Sequence, residues 1–312
     1  MRIAIYGAGG VGGYFGGRLA QAGEDVVFIA RGEHLRAMQI HGLRVDSIKG
    51  DFHVQPLTAF QDPSQAGPVE MVVLAVKAWQ VPEAALAMRP LIGPETGVVF
   101  LGNGVDAPAQ LAAVLGPGHV LGGRSQISTF LAGPGYIRHV GIEPRVAFGE
   151  LDGSRSARVE KLLAAFQHAG VEASIPADIV AAMWEKFIFI AAISGVGAVT
   201  RLPTGVIRSV PETRELLQTA IEEVVRVAHA RQVRLPEDIA GSTLKFIDGI
   251  GPAVIPSMQR DIMDGRPSEL GAQSGAVVRM GLETGVPTPV HAFIYASLLP
   301  QELQARGDLN AA

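Results

Sequence analysis

The chain has 312 residues and a mass of 32.8 kDa, room for one large domain or two of ordinary size. Apolar residues make up 48% and charged residues 18%, which excludes a disordered chain. The net charge of −4 comes without a basic block and argues against nucleic acid as a partner, while the lack of cysteine excludes disulfides, thiolate metal sites and cysteine nucleophiles and fits a reducing cytoplasm.

The first residues form a short apolar run that stops at Gly7 with no basic segment before it, so no signal peptide is expected. Residues 1–6, 25–30, 71–76 and 97–101 are short Val- and Ile-rich runs, apolar on both faces. That is the pattern of parallel strands covered by helices on both sides. Residues 11–22 and 82–91 read as intervening helices, and 43–54 as a β-hairpin turning at Lys49-Gly50-Asp51. The alternation predicts an α/β, Rossmann-type doubly wound sheet.

Short strands with Gly and Pro turns are expected over 122–149, then an amphipathic helix over 154–169. Beyond Pro176 strand signals nearly vanish, and helices are expected over 211–232, 236–250, 266–283 and 290–306. The expected organisation is a dinucleotide-binding domain over 1–176 and an all-helical domain over 177–312. The charge-free apolar stretch 187–199 is shorter than the roughly 18 to 20 residues a membrane span needs, so no membrane is expected.

Gly7-Ala8-Gly9-Gly10-Val11-Gly12 matches G-x-G-x-x-G between a strand and a helix, the context that makes the motif informative. Gly7 permits the turn, Gly9 lets the backbone approach a pyrophosphate, and Gly12 allows close helix–strand packing. The helix N-terminus offers N–H groups to phosphate. Past the second strand, where an NAD site usually carries an acid, stands Arg31. An arginine suits the 2′-phosphate of NADPH; a solvated loop cation is the alternative. Lys77 and Asn103 follow the third and fourth strands, at the edge where such sheets bind ligands. A surface lysine and a turn asparagine are their ordinary readings.

Lys186 opens the most apolar part of a helix that is apolar almost all round. Burial there lowers a lysine pKa and suits a proton donor, though a lysine snorkelling from a helix end fits the same pattern. Ser257 can donate to a carboxylate and Glu269 can accept from a hydroxyl. Alternatively, Pro267 or Ser268 starts a helix with Glu269 in its first turn. The histidines show no paired metal-ligand spacing; His34 and His41 fall seven apart near a loop and read as solvated. No metal is expected.

In this order and spacing, the glycine loop, Lys-Ala-Trp-Gln at 77–80, Asn-Gly at 103–104, Trp-Glu-Lys at 184–186, Ser-Met at 257–258 and Arg-Pro-Ser-Glu at 266–269 resemble the ketopantoate reductase family (2-dehydropantoate 2-reductases). The similarity runs from Met1 to about His291. It implies a Rossmann domain and a helical domain with the active site in the cleft between, NADPH as hydride donor, and a 2-oxo acid with a nearby hydroxyl as substrate. It implies Lys186 as general acid on the keto oxygen and Glu269 as the group that holds the substrate hydroxyl and orients the lysine. Ser257 would bind the carboxylate, Asn103 would lie near nicotinamide and substrate, and Lys77 near the cofactor. Ile190 and Ser194 stand where the family often carries substrate-contacting asparagines, so the substrate wall is more apolar than usual. Gly271 and Ser274 depart from the family pattern as well. A β-hydroxyacid dehydrogenase shares the loop, the layout and the lysine, but the 257–258 and 266–269 patches argue against it. An NADPH-binding sensor without turnover is the other alternative. The apolar helices of the second half leave room for a homodimer.

Overall fold

The computed structural model describes residues 1–309. The chain forms two compact units, one of Met1–Gly102 with Ala107–Ala182 and one of Asn103–Asp106 with Met183 onward. The division therefore falls inside a helix and not at Pro176, and a short segment around Asn103 belongs with the later residues.

In the first unit, strand β1 (Arg2–Tyr6) leads through helix α1 (Gly10–Gln21) to β2 (Asp25–Ile29) and α2 (Gly32–His41). The predicted hairpin follows as β3 (Leu43–Ser47) and β4 (Phe52–Val54), then β5 (Thr58–Phe60), β6 (Val69–Leu74), α3 (Val81–Ala87), β7 (Ile92–Phe100) and α4 (Ala107–Leu115). Strands β8 (Val120–Gln126), β9 (Thr129–Gly133), β10 (Tyr136–His139) and β11 (Arg145–Glu150), helix α5 (Ala157–His168) and β12 (Glu172–Ser174) complete it. The main sheet has eight strands in the order β12-β11-β8-β7-β6-β1-β2-β5. The order reverses at β1, whose neighbours β2 and β6 are both parallel to it.

Ile3, Ile5, Phe28, Met71, Val73 and Val99 are buried on these strands, each contributing about 1.5 to 3 kcal/mol of transfer free energy. The hairpin joins β9 and β10 in a second, four-stranded sheet, β4-β3-β10-β9. Helix α1 lies between the two sheets. A Cβ on Gly16 would lie 2.5 Å from Ile5 Cγ1, and one on Gly17 2.8 Å from Phe52 Cε2. Small residues thus let both sheets close on one helix.

In the second unit the regular elements of the described residues are helices. The chain enters it within α6 (Ile179–Thr200), followed by α7 (Thr204–Ser209), α8 (Pro211–Ala230), α9 (Ile239–Asp248), α10 (Ser257–Met263), α11 (Ser274–Thr284) and α12 (Pro289–Arg306). Among the described residues α6 is the one helix long and apolar enough, by length and composition, to cross a membrane. It outruns the 187–199 stretch because Glu185 and Lys186 lie within it. Of its most apolar window 72% is buried inside the protein, which is what a core helix shows. Helix α8 buries Leu217, Ile221, Val224 and Ala228 along one apolar stripe, with Leu216 and Val225 half-buried beside it.

One buried polar pair ties α8 to α12. The Glu223 carboxylate accepts the N–H groups of Val290 (2.8 Å) and His291 (3.0 Å) at the start of α12. It satisfies donors that no residue of α12 itself can reach. Burial raises the Glu223 pKa. His291 is fully buried, and its Nε2 donates to the Ala220 carbonyl at 3.1 Å. Burial pushes its pKa down to about 4. The unfolded chain therefore binds a proton at His291 that the folded chain refuses between the ordinary value of 6.5 and 4. Stability is lost as pH falls through that window. From pH 7 to pH 5 the native protein should lose about 2 kcal/mol that a His291→Gln variant does not lose. Glu223 works the other way in the lower part of the window, and it does so in both proteins. Urea unfolding at the two pH values measures the difference; equal losses would show that His291 is not the acid-sensitive group.

Candidate active site

The strand ends are level where the topology reverses. Tyr6 pairs with Ile29 on one side and with Leu74 on the other, and Leu74 pairs with Phe100. The residues that follow these four positions therefore share one edge. Gly7 turns the chain away from β1 with φ +96°, a conformation that side chains disfavour, and a Cβ there would lie 2.8 Å from the Ala75 oxygen. A Cβ on Gly12 would lie 2.0 Å from the Gly7 oxygen, so the first turn of α1 sits directly on the loop.

Gly9 differs: nothing lies within 4 Å of its would-be Cβ. It is the N-cap of α1, without a side-chain cap and without an acid in the first turn. Free N–H groups, a positive helix end and open space over Gly9 make a cradle for an anion. Thr129 Oγ1, buried without a hydrogen-bond partner, abuts Gly10, where a Cβ would approach it to 2.9 Å. The residues present fit a dinucleotide pyrophosphate held by Gly7, Ala8, Gly9, Gly10, Val11 and Gly12.

His34, expected to be solvated, is a brace for this loop. Its Nδ1 accepts the Gly135 N–H (2.9 Å), so its Nε2 carries the proton and donates to the Ala8 oxygen (2.8 Å). Burial lowers its pKa and keeps it neutral in this role. Nothing in the spacing of His34 announces this, because Gly135 is 101 residues away.

Arg31 is the N-cap of α2, exposed just past β2. It lies close enough to Tyr6 for its charge to oppose the rise in the phenol pKa that burial causes. Glu33, the nearest acid on α2, is paired with Arg36. Lys77 is half-buried after β6, and its N–H donates to Gln80 Oε1 at 3.2 Å.

In the second unit Lys186, Ile190 and Ser194 recur every four residues on α6 and so share one helix face. Lys186 and Ile190 are half-buried. Ser194 is fully buried, its hydroxyl without a hydrogen-bond partner. Glu269 is 4% exposed, and its Oε2 accepts Asn103 Nδ2 at 2.8 Å and Gln273 Nε2 at 3.5 Å. Gly104, with φ +104°, allows the approach behind Asn103, since a Cβ there would lie 3.3 Å from the Ala272 oxygen. The structure thus joins Asn103 to Glu269 across 166 residues. Ser257 is exposed at the start of α10.

The helix expected from 266 does not begin there. Residues Leu270–Ala272 form a single 3-10 turn and α11 starts at Ser274, because Ser268 and Glu269 are engaged elsewhere and do not cap a helix. Arg266 is paired with Asp261 (3.0 Å) and Asp264 (2.9 Å). Gln273 escaped the sequence reading, although a glutamine four residues after a glutamate is a legible pairing signal.

Residues 3–153 match the family described as "Ketopantoate reductase PanE/ApbA", and residues 178–302 match its C-terminal counterpart. The chain belongs to the ketopantoate reductase family. It is 32% identical to the 2-dehydropantoate 2-reductase of Mesorhizobium japonicum, covering 93% of this chain and 94% of that one. It is 30% identical to a Bacillus subtilis protein described as the uncharacterized oxidoreductase YkpB, covering 97% of this chain and all of that one. The crystal structure of a PanE/ApbA family ketopantoate reductase from Ralstonia eutropha JMP134 superposes with a TM-score of 0.89 at 31% identity, over 98% of this chain and 100% of that one. As a ketopantoate reductase-type protein, the chain is an oxidoreductase that acts on a CH–OH group with a nicotinamide cofactor.

Proposed function

We propose that this chain reduces 2-dehydropantoate to pantoate, or a related small 2-oxo acid to its 2-hydroxy acid, with NADPH. The observation that carries the reading is the 2.8 Å bond between Asn103 and Glu269. These are two of the residues to which the family resemblance gives substrate roles, and they are far apart in sequence. When bound, the reduced nicotinamide supplies the hydride. The chain's own residues then have separable tasks. The Lys186 ammonium hydrogen-bonds the keto oxygen and passes a proton from Nζ to it as negative charge develops there. Glu269 accepts a hydrogen bond from a substrate hydroxyl, while the Asn103 amide holds its side chain in one orientation. Ser257 donates to the substrate carboxylate. Ile190, one turn beyond the lysine, presents an apolar surface, which favours a substrate with an apolar branch.

Arg31 favours NADPH, because a guanidinium forms charge-assisted hydrogen bonds with a 2′-phosphate and no acid of this segment competes for the place. Arg31→Ala should raise the KM for NADPH about 30-fold and leave that for NADH within about twofold; equal effects on both would refute the assignment. The test of the reaction is NADPH consumption with 2-dehydropantoate and with smaller 2-oxo acids, NADH serving as control. Turnover of at least one 2-oxo acid is expected. Tight NADPH binding without oxidation by any of them would overturn the reading.

A further inference from the structure

We propose that Glu302, on the last helix, is a positioning residue for Glu269; the inference rests on the reading of Glu269 as a substrate-binding carboxylate. Glu302 is 5% exposed. A carboxylate so buried is costly unless its oxygens are satisfied, and here Ser268 and Arg306 satisfy them. Both Glu302 oxygens accept the Ser268 N–H at 3.0 Å, and Oε2 also accepts the Ser268 hydroxyl. Arg306, one turn on, donates through Nε to Glu302 Oε1 at 2.6 Å and through Nη2 to the Ser268 carbonyl at 2.9 Å. The Ser268 hydroxyl in turn accepts the Leu270 N–H at 3.1 Å.

The residue before Glu269 is therefore held by its N–H, its carbonyl and its side chain, and the residue after it by its N–H. The Glu269 carbonyl accepts the N–H groups of Ala272 (3.0 Å) and Gln273 (2.9 Å). A main chain tied on both sides leaves the Glu269 side chain one direction to leave from. Asn103 and Gln273 then fix its carboxylate. Packing α12 on its neighbours requires none of this, since Ile294 and Leu298 already bury apolar surface on that helix. A Glu–Arg clamp closed on the residue preceding a functional carboxylate is what a preorganised site requires.

The experiment is a double-mutant cycle combined with hydrogen exchange. Glu302→Gln keeps the shape but turns an amide toward Arg306. It should lower kcat/KM for the 2-oxo acid about 10-fold while the Kd for NADPH stays within about twofold. In a Glu269→Gln background the same change should have less than about a twofold effect, because the group it acts through is gone. Additive losses, or no loss in the single variant, would overturn the proposal. Backbone amides of 269–273 should exchange about 10-fold faster in Glu302→Gln while those of α8 are unchanged. Unaltered exchange over 269–273 would overturn the proposal even if no 2-oxo acid were turned over, a result that by itself counts only against the proposed reaction. Should Glu302→Gln not fold, Ser268→Ala, which removes the hydroxyl arm of the clamp, carries the same cycle and the same exchange measurement.

Discussion

Lys186→Ala is expected to lower kcat with a 2-oxo acid by about 1000-fold, within the range that a positioned general acid contributes, while the Kd for NADPH does not change. The argument begins with the helix. Lys186 is half-buried in α6, with buried Trp184 before it and buried Phe187 and Ile188 after it. Trp184 and Phe187 meet edge to face at 5.6 Å. The turn that carries the lysine is therefore rigid, and removing the ammonium leaves the helix packed. The loss falls on chemistry because hydride addition to a carbonyl carbon is much faster when the negative charge developing on its oxygen is neutralised. Lys186→Arg separates charge from proton transfer: the guanidinium keeps the positive charge but does not release a proton at neutral pH. It should bind the 2-oxo acid and turn it over slowly. Undiminished kcat in the alanine variant would remove Lys186 from the mechanism.

Two glycines of the loop should respond in opposite ways to the same added methyl group. In Gly12→Ala the new Cβ would lie 2.0 Å from the Gly7 oxygen and 3.0 Å from Ala75 Cβ. The first of these neighbours is main chain, so β1 or α1 must move. Stability should fall by about 3 kcal/mol or more, and cofactor binding should be lost with it. In Gly9→Ala the Cβ meets nothing within 4 Å, so the melting temperature should hold within about 2 °C. The methyl group would, however, occupy the space that a pyrophosphate needs, and the Kd for NADPH should rise about 100-fold. Thermal unfolding and cofactor titration of both variants check this. A Gly9→Ala protein with native affinity would show that phosphate does not approach over Gly9.

Much of the first unit is legible because its signals are local. The runs at 1–6, 25–30 and 71–76 correspond to β1, β2 and β6 within two residues at each end, since buried parallel strands must be apolar on both faces. The hairpin was announced by Lys49-Gly50-Asp51, and Gly50 takes φ +94° there. Helices α2, α4, α7 and α10 lie outside the helices that the sequence pattern predicts. Helix α2 begins at an arginine with no side-chain cap and so lacks the usual start signal, whereas α4 has one, with Asp106 before it and Pro108 in its first turn. The helix expected from 266 failed for a different reason: its would-be capping serine is committed to Glu302, 34 residues away.

The sequence by itself determined the main strands, most of the long helices, the glycine cradle and the candidates for carrying a phosphate, a proton and a hydroxyl, because each depends on side-chain type and on spacings of a few residues. Only the tertiary structure decided which of them act together. His34 braces the loop through Gly135, Asn103 meets Glu269, and Glu302 with Arg306 clamps Ser268. These pairings span tens to more than a hundred residues. A hydrogen bond between such partners is specified by how the core packs, and no local pattern in the chain encodes that distance.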